Sequence, residues 1–221
     1  EFLRKRAKAA GAHRYTGTFT KIERDADGTH VVYRDKISGN EMKLDTKLVI
    51  GADGARSNVA RAEVKDGDKI PYVIAYHEII EAPEPTAPYD PARCDVVYDG
   101  KISPDFYGWV FPHGGQASVG MGSMIKSVDV KQATADLRAA SGLTECKTIR
   151  KEGAPIPLKP LERWDNGSDV VLAGDAAGVV APSSGEGIYY AMVGGRVAAT
   201  AAAATLASGR VKDLQLARKL F

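Results

Sequence analysis

The chain has 221 residues, enough to bury a sizeable core, with 44% hydrophobic and 26% charged residues, the proportions of an ordinary globular protein. A net charge of +2 is too small to mark a nucleic-acid partner. Cys94 and Cys146 are far apart and outside metal-ligand spacing, which argues against a disulfide framework or a metal site and for a reducing, cytoplasmic compartment.

In chain order, residues 2 to 10 read as the end of a basic helix stopped by Gly11, so the chain is expected to start inside an element. Thr16 to Glu23, His30 to Asp35 and Glu41 to Asp45 alternate partly between apolar and polar residues. Turns at Asp27-Gly28 and Ser38-Gly39-Asn40 make them a small antiparallel meander. Leu48-Val49-Ile50 is a buried strand running into Gly51-Ala52-Asp53-Gly54-Ala55-Arg56-Ser57, where Ser57 is placed to cap a helix.

From Tyr72 to Met124 longer β segments follow: Tyr72 to Ile80, Asp95 to Tyr98, Phe106 to Phe111 and Gln116 to Met124. They predict a second, mostly antiparallel sheet. Asp129 to Ser141 reads as a helix ended by Gly142, and Lys147 to Leu158 as a return through prolines 155, 157 and 160. The nearly uncharged run from Ile188 to Ala207 is long enough to span a bilayer. Arg196 near its middle and the dominance of Ala and Gly make it a buried helix instead. The basic clusters Arg4, Lys5, Arg6, Lys8 and Arg210, Lys212, Arg218, Lys219 read as solvated helix faces, with an anionic membrane surface as the weaker alternative.

Two stretches carry chemistry. Val170 to Ala173 is a strand buried on both faces that ends at Gly174-Asp175, and a carboxylate at a strand's carboxyl end can accept hydrogen bonds from ligand hydroxyls. After Pro182, the residues Ser183-Ser184 and Gly185-Glu186-Gly187 are expected to open a long Ala-rich helix whose free amides face the same ligand. The second stretch is Ser103-Pro104-Asp105-Phe106-Tyr107-Gly108-Trp109-Val110-Phe111-Pro112. With period two, Tyr107, Trp109 and Phe111 share one strand face and form an apolar wall, for which core packing is the alternative account.

Gly-Asp-Ala-Ala-Gly followed by Ser-Gly-Glu-Gly-Ile, with Gly-Ala-Asp-Gly-x-x-Ser upstream, resembles the FAD-dependent superfamily of aromatic hydroxylases and geranylgeranyl reductases. Tyr-x-Trp-x-Phe-Pro with Gly120-Met121-Gly122 downstream is similar to a geranylgeranyl reductase signature, closest to the chlorophyll and bacteriochlorophyll branch. The resemblance implies an α/β fold, part of a Rossmann-like FAD-binding domain carrying an inserted, mostly antiparallel β-sheet substrate domain. It divides the chain at 1–70, 71–158 and 159–221. It further implies that Gly174 and Asp175 bind the flavin ribityl chain and that the backbone of Gly185, Glu186 and Gly187 faces the flavin pyrimidine ring. Asp53, Gly54 and Arg56 are implied near the FAD pyrophosphate and the route of NADPH. Tyr107, Trp109, Phe111 and Pro112 are implied to line the substrate channel.

The implied activity is FAD- and NADPH-dependent saturation of isoprenoid double bonds in geranylgeranyl-bacteriochlorophyll or geranylgeranyl diphosphate. The implied partner is therefore an isoprenoid or pigment, with peripheral association on the photosynthetic membrane. Tyr107 and Glu186 are chemically suitable proton donors, but each also has a packing or capping explanation, and no catalytic residue is assigned. An aromatic-ring monooxygenase on the same scaffold is the alternative, weakened because Gly178 stands where aromatic hydroxylases usually carry His after Gly-Asp-Ala-Ala. No Gly-x-Gly-x-x-Gly precedes a helix near residue 1, so a fragment without its first βαβ unit, catalytically silent alone, is the third expectation.

Overall fold

The structure is a computed structural model that describes residues 1–85, 87–181 and 184–221. Pro182 and Ser183 of the expected helix-opening loop lie outside the described residues. The chain forms two compact units, one of Glu1–Lys69, Leu161–Val179 and Gly187–Phe221, the other of Ile70–Pro160 and Val180–Glu186.

The first unit begins with α1 (Phe2–Ala9), exposed throughout, followed by the meander β1 (Gly17–Asp25), β2 (Gly28–Asp35) and β3 (Glu41–Thr46), paired antiparallel in that order. Val32 and Tyr33 of β2 are its buried hydrophobic residues, as expected of a central strand with β-branched and aromatic side chains, and His30 is buried with them. Two short strands, β4 (Val49–Gly51) and β10 (Val170–Leu172), pair in parallel, with Leu172 opposite Gly51. All three β10 residues are fully buried, so both faces of that strand are covered and no polar residue interrupts it.

Asp169, one residue before β10, ties the unit together. Its carboxylate accepts from Arg24 Nε at 2.9 Å and Nη2 at 2.8 Å, from Thr29 Oγ1 at 2.7 Å and from Asn166 Nδ2 at 3.0 Å. Arg24 also bonds Glu63 at 2.6 Å, at the end of α2 (Asn58–Glu63). Burial works to raise the Asp169 carboxyl, but the bonds from Arg24, Asn166 and Thr29 outweigh it and hold it down to about 2.

The long helix α4 (Ile188–Ser208) buries Gly194, Val197, Ala198, Ala201 and Thr205, a single stripe at helical spacing. Ile188, Tyr189, Met192 and Leu206 are exposed, which corrects the expectation of a wholly buried helix. Ala and Gly dominate because one face lies close against its neighbours: a Cβ on Gly194 would stand 3.0 Å from the Gly174 backbone nitrogen. No helix among the described residues is long and apolar enough to cross a membrane. A one-turn helix, α5 (Leu216–Leu220), closes the unit.

The second unit is a five-stranded antiparallel sheet in the order β6 (Asp95–Val97), β7 (Gly108–His113), β8 (Gln116–Ser123), β5 (Tyr72–Glu81), β9 (Thr148–Pro157). One face is covered by α3 (Val130–Ala140), capped by Asp129, whose carboxylate accepts from the amides of Lys131 and Gln132. Ile80, Val110, Val119, Met121 and Leu137 make that core. Residues 148–157, read from sequence as a returning connection, form a ten-residue strand instead. β9 lies at the sheet edge, and Pro155 and Pro157, two apart, turn their missing N–H groups to the same, unpaired side.

Asp169 is expected to make the first unit sensitive to acid. Its folded-state pKa is depressed, so its contribution is complete above the unfolded value of about 3.9 and is lost as pH falls toward about 2. Asp169→Asn should cost the full-length protein about 1–2 kcal/mol at pH 7, allowing for the partly exposed Arg24 partner. Urea unfolding across pH should show that difference closing between about pH 4 and 2, whereas a pH-independent difference would count against the charge-based clamp.

Candidate functional site

In the first unit the carboxyl ends of β4 and β10 lie side by side, and each is followed by a Gly/Asp turn. The chain after β4 turns at Asp53-Gly54 into α2. Ser57 caps α2 by accepting from the Ala60 amide at 2.8 Å. Asp53 backs that cap: one carboxylate oxygen accepts from the Ser57 hydroxyl, the other from the amides of Asn58 at 2.8 Å and Val59 at 3.2 Å. Both oxygens are therefore engaged locally, and what Asp53-Gly54 leaves toward a ligand is backbone. The Arg56 side chain is exposed, and its carbonyl accepts from Arg61.

After β10 the chain makes a short 3₁₀ turn, Gly174–Ala177. Gly174 has φ +60 and sits under α4, where a Cβ would meet Ala191 Cβ at 3.3 Å, so both conformation and space ask for glycine. The next residue, Asp175, is half-buried, and no side chain among the described residues bonds its carboxylate. Burial pushes its carboxyl above the ordinary carboxylate value, with its own backbone N–H pulling the other way. A half-buried carboxylate with no side-chain donor among the described residues can accept from a ligand hydroxyl.

The residues Gly185, Glu186 and Gly187 do not open α4 as a group. Gly185, with φ +65, donates its N–H to Ala181 at 2.8 Å, and the Glu186 carbonyl accepts from Ala181 at 2.9 Å. That closes a turn, and the helix starts only at Ile188, with Gly187 as its N-cap. Of the three, Gly187 alone stands at the helix end.

In the second unit the sheet face opposite α3 carries the aromatic residues. Tyr107, Trp109 and Phe111 share it, with ring centroids 6.0 and 6.3 Å apart, and Phe106 stacks on Tyr107 at 4.3 Å. Gly108 and Val110 point the other way and are buried. Pro112, also in β7, is half-buried. The buried Tyr107 hydroxyl donates to the Ser184 carbonyl, and burial pushes its phenol up, so as a proton donor it is both held and weakened.

Trp109 reaches over β8 where that strand carries no side chain. A Cβ on Gly120 would stand 2.6 Å from Trp109 Cζ2, and one on Gly122 would stand 2.9 Å from Phe106 Cδ1. The indole borders a recess of about 520 Å³ lined by Ala75, His77, Glu152, Ala154 and Ile156. Sequence reading missed its polar members. His77 bonds Ser118 Oγ through Nδ1 at 2.8 Å and Glu152 through Nε2 at 3.0 Å, and Trp109 Nε1 donates to the same Ser118 hydroxyl at 3.1 Å. The available signal was period-two alternation in β5, which places His77 on the face of Ala75.

Residues 1–96 match the FAD binding domain family. The chain is 65% identical over all of its 221 residues to a geranylgeranyl diphosphate reductase of Rhodobacter capsulatus and covers 56% of that protein. It is 38% identical to a chloroplastic geranylgeranyl diphosphate reductase of Oryza sativa subsp. japonica, over 99% of the chain and 50% of that protein. The crystal structure of a geranylgeranyl bacteriochlorophyll reductase-like protein from Thermoplasma acidophilum superposes with a TM-score of 0.86 and 25% identity, over 99% of the chain and 57% of that structure. The chain thus spans about half the length of the curated relatives it matches. With an FAD-binding segment, an antiparallel insert and identity extending over its whole length, the chain belongs to the geranylgeranyl reductase family of flavoproteins.

Proposed function

We propose that the full-length protein is an FAD- and NADPH-dependent reductase that saturates isolated double bonds in the geranylgeranyl chain of a (bacterio)chlorophyll or of the free diphosphate. One feature carries the reading to substrate class: three aromatic side chains on one sheet face, Tyr107, Trp109 and Phe111, beside a recess also lined by Ala75, Ala154 and Ile156, suit a long hydrocarbon. The whole-length identity to a geranylgeranyl diphosphate reductase supports the same class.

FAD fits the first unit because Asp175 is a half-buried carboxylate without a side-chain donor among the described residues, matching a ligand that presents hydroxyls. When bound, FAD supplies hydride to the substrate and receives it from NADPH. Asp175 would hold the ribityl hydroxyls, and the close approach of Gly174 to α4 fixes where that carboxylate stands. Gly187 at the start of α4 would offer backbone amides with the positive end of the helix dipole, an effect of about 0.3–1 kcal/mol in favour of an anionic ligand. Tyr107, Trp109 and Phe111 would bind the isoprenoid and exclude water. The basic, exposed α1 and its exposed Phe2 and Leu3 are compatible with peripheral contact with an anionic photosynthetic membrane, where such a substrate resides.

Asp175→Ala in the full-length protein should weaken FAD binding by about 10- to 100-fold, the worth of hydrogen bonds to a charged acceptor. Asp53→Ala, by contrast, should lower stability by about 1 kcal/mol through the lost helix cap. Flavin fluorescence titration and thermal unfolding separate the two, and an unchanged FAD affinity for Asp175→Ala would count against the ribityl assignment. The activity itself is tested by incubating the full-length protein with FAD, NADPH and geranylgeranylated bacteriochlorophyll and following pigment mass. Stepwise gain of hydrogen pairs is expected. NADPH consumption with no change of pigment mass would contradict the reading on this substrate.

A further inference from the structure

We propose that His30 is a proton-held pin of the meander, a charged imidazolium that ties β2 to both of its neighbours and makes their hold on Asp169 weaken as pH rises. His30 is buried on the central strand of the three, and neither of its ring nitrogens is spare. Nδ1 lies 2.8 Å from an Asp45 carboxylate oxygen on β3, and Nε2 lies 2.9 Å from an Asp25 carboxylate oxygen at the end of β1. Ionised carboxylates only accept, and a neutral imidazole has a single N–H to give. With a neutral ring, one of the two contacts would set a nitrogen lone pair against an oxygen lone pair. The charged ring donates from both nitrogens and satisfies both carboxylates.

The charges on that face agree. Period-two alternation and the strand register put Lys21, Glu23 and Asp25 of β1, Arg34 of β2, and Glu41, Lys43 and Asp45 of β3 on the face of His30. Glu23 and Asp45 stand directly opposite His30. Lys43 bonds Asp25 at 3.2 Å and pairs with Glu23 at 3.4 Å, and Lys21 pairs with Glu23 at 2.7 Å. The face therefore carries four carboxylates against three other cations, and a charged His30 brings it to neutrality. The bonds to Asp25 and then to Asp45 raise the His30 ring above its ordinary value of 6.5. In return, His30 is the first of the donors that hold the Asp25 carboxyl well below the usual carboxylate range.

The opposite face of the same two strands does the holding. Arg24, between Glu23 and Asp25, and Thr29, next to His30, point the other way and bond the Asp169 carboxylate. One register sets both faces, with Glu23 opposite His30 and Arg24 opposite Thr29. Strands loosened at His30 therefore loosen the two donors that reach Asp169, one residue before β10. The sign is opposite to that of Asp169 itself. A raised pKa gives a contribution that is complete below the unfolded value of about 6.5 and is lost as pH rises through the folded value. Neither the pin nor its test depends on which substrate the full-length protein reduces.

Two measurements on the full-length protein test the pin. With isotopically labelled histidine nitrogens, the His30 resonances are assigned by their response to Asp45→Asn and their loss in His30→Gln. Both ring nitrogens should carry protons at pH 7 and titrate with a midpoint above 6.5, and Asp25→Asn should lower that midpoint. In urea unfolding from about pH 6 to 9, the wild type should exceed His30→Gln most at the acid end, with the difference shrinking as pH rises. His30→Gln and Asp169→Asn should be non-additive at pH 6 and approach additivity where His30 is neutral. A His30 ring that is neutral at pH 7, or that titrates at or below 6.5, would overturn the proposal, and the Asp45→Asn assignment supplies that reading even if His30→Gln fails to fold. A stability difference that stays constant from pH 6 to 9 would overturn it as well.

Discussion

Residue 120 has no Cβ, and the open face of the antiparallel unit depends on that. In a sheet whose other face is committed to α3, Trp109 of β7 can reach over β8 only where β8 offers no side chain, and Gly120 is that place. The same device recurs two residues on, where Gly122 makes room for Phe106. Trp109 borders the recess, and its indole N–H bonds Ser118, which in turn meets His77. Any side chain at 120 would push into the indole and against the backbone of Tyr76, so packing and chemistry fall together.

The nucleotide-type unit follows a different logic. Two short parallel strands set two Gly/Asp turns at one edge, the place where open α/β sheets bind ligands. The two aspartates then diverge. Asp53 spends both oxygens on the first turn of α2 and so serves structure, while Asp175 keeps its carboxylate half-buried and, among the described residues, free of side-chain donors. Residue type and position in the motif are alike for the two. Their hydrogen-bond accounts are opposite, and only the second is open to a ligand hydroxyl.

Much of this was legible in the sequence where the signal is local. The meander, the buried run at 170–172, the Asp129 cap and the shared face of Tyr107, Trp109 and Phe111 follow from periodicity and turn chemistry within a few residues. Strand β9 was not, because its prolines argue against a strand until the sheet order shows it at an edge. The one-sided burial of α4 was hidden by a composition apolar all round its circumference. Least legible was the polar group in the recess. His77, Ser118 and Glu152 stand on three strands, 41 and 75 residues from His77 in sequence, and only the register β8-β5-β9 brings them together. The Asp53 cap lay within six residues and was open to local reading, but a ligand role suggested by resemblance stood in its place.

The central claim is that the aromatic face of the antiparallel unit is the isoprenoid wall. It is tested most directly by photolabelling the full-length protein with a geranylgeranyl analogue carrying a diazirine in its chain, followed by peptide mapping. The account predicts crosslinks on residues 107–111 and on 152–156 across the recess, suppressed by excess geranylgeranylated pigment. Competable labelling confined to the α3 face or to the meander, with none on these two strands, would contradict it.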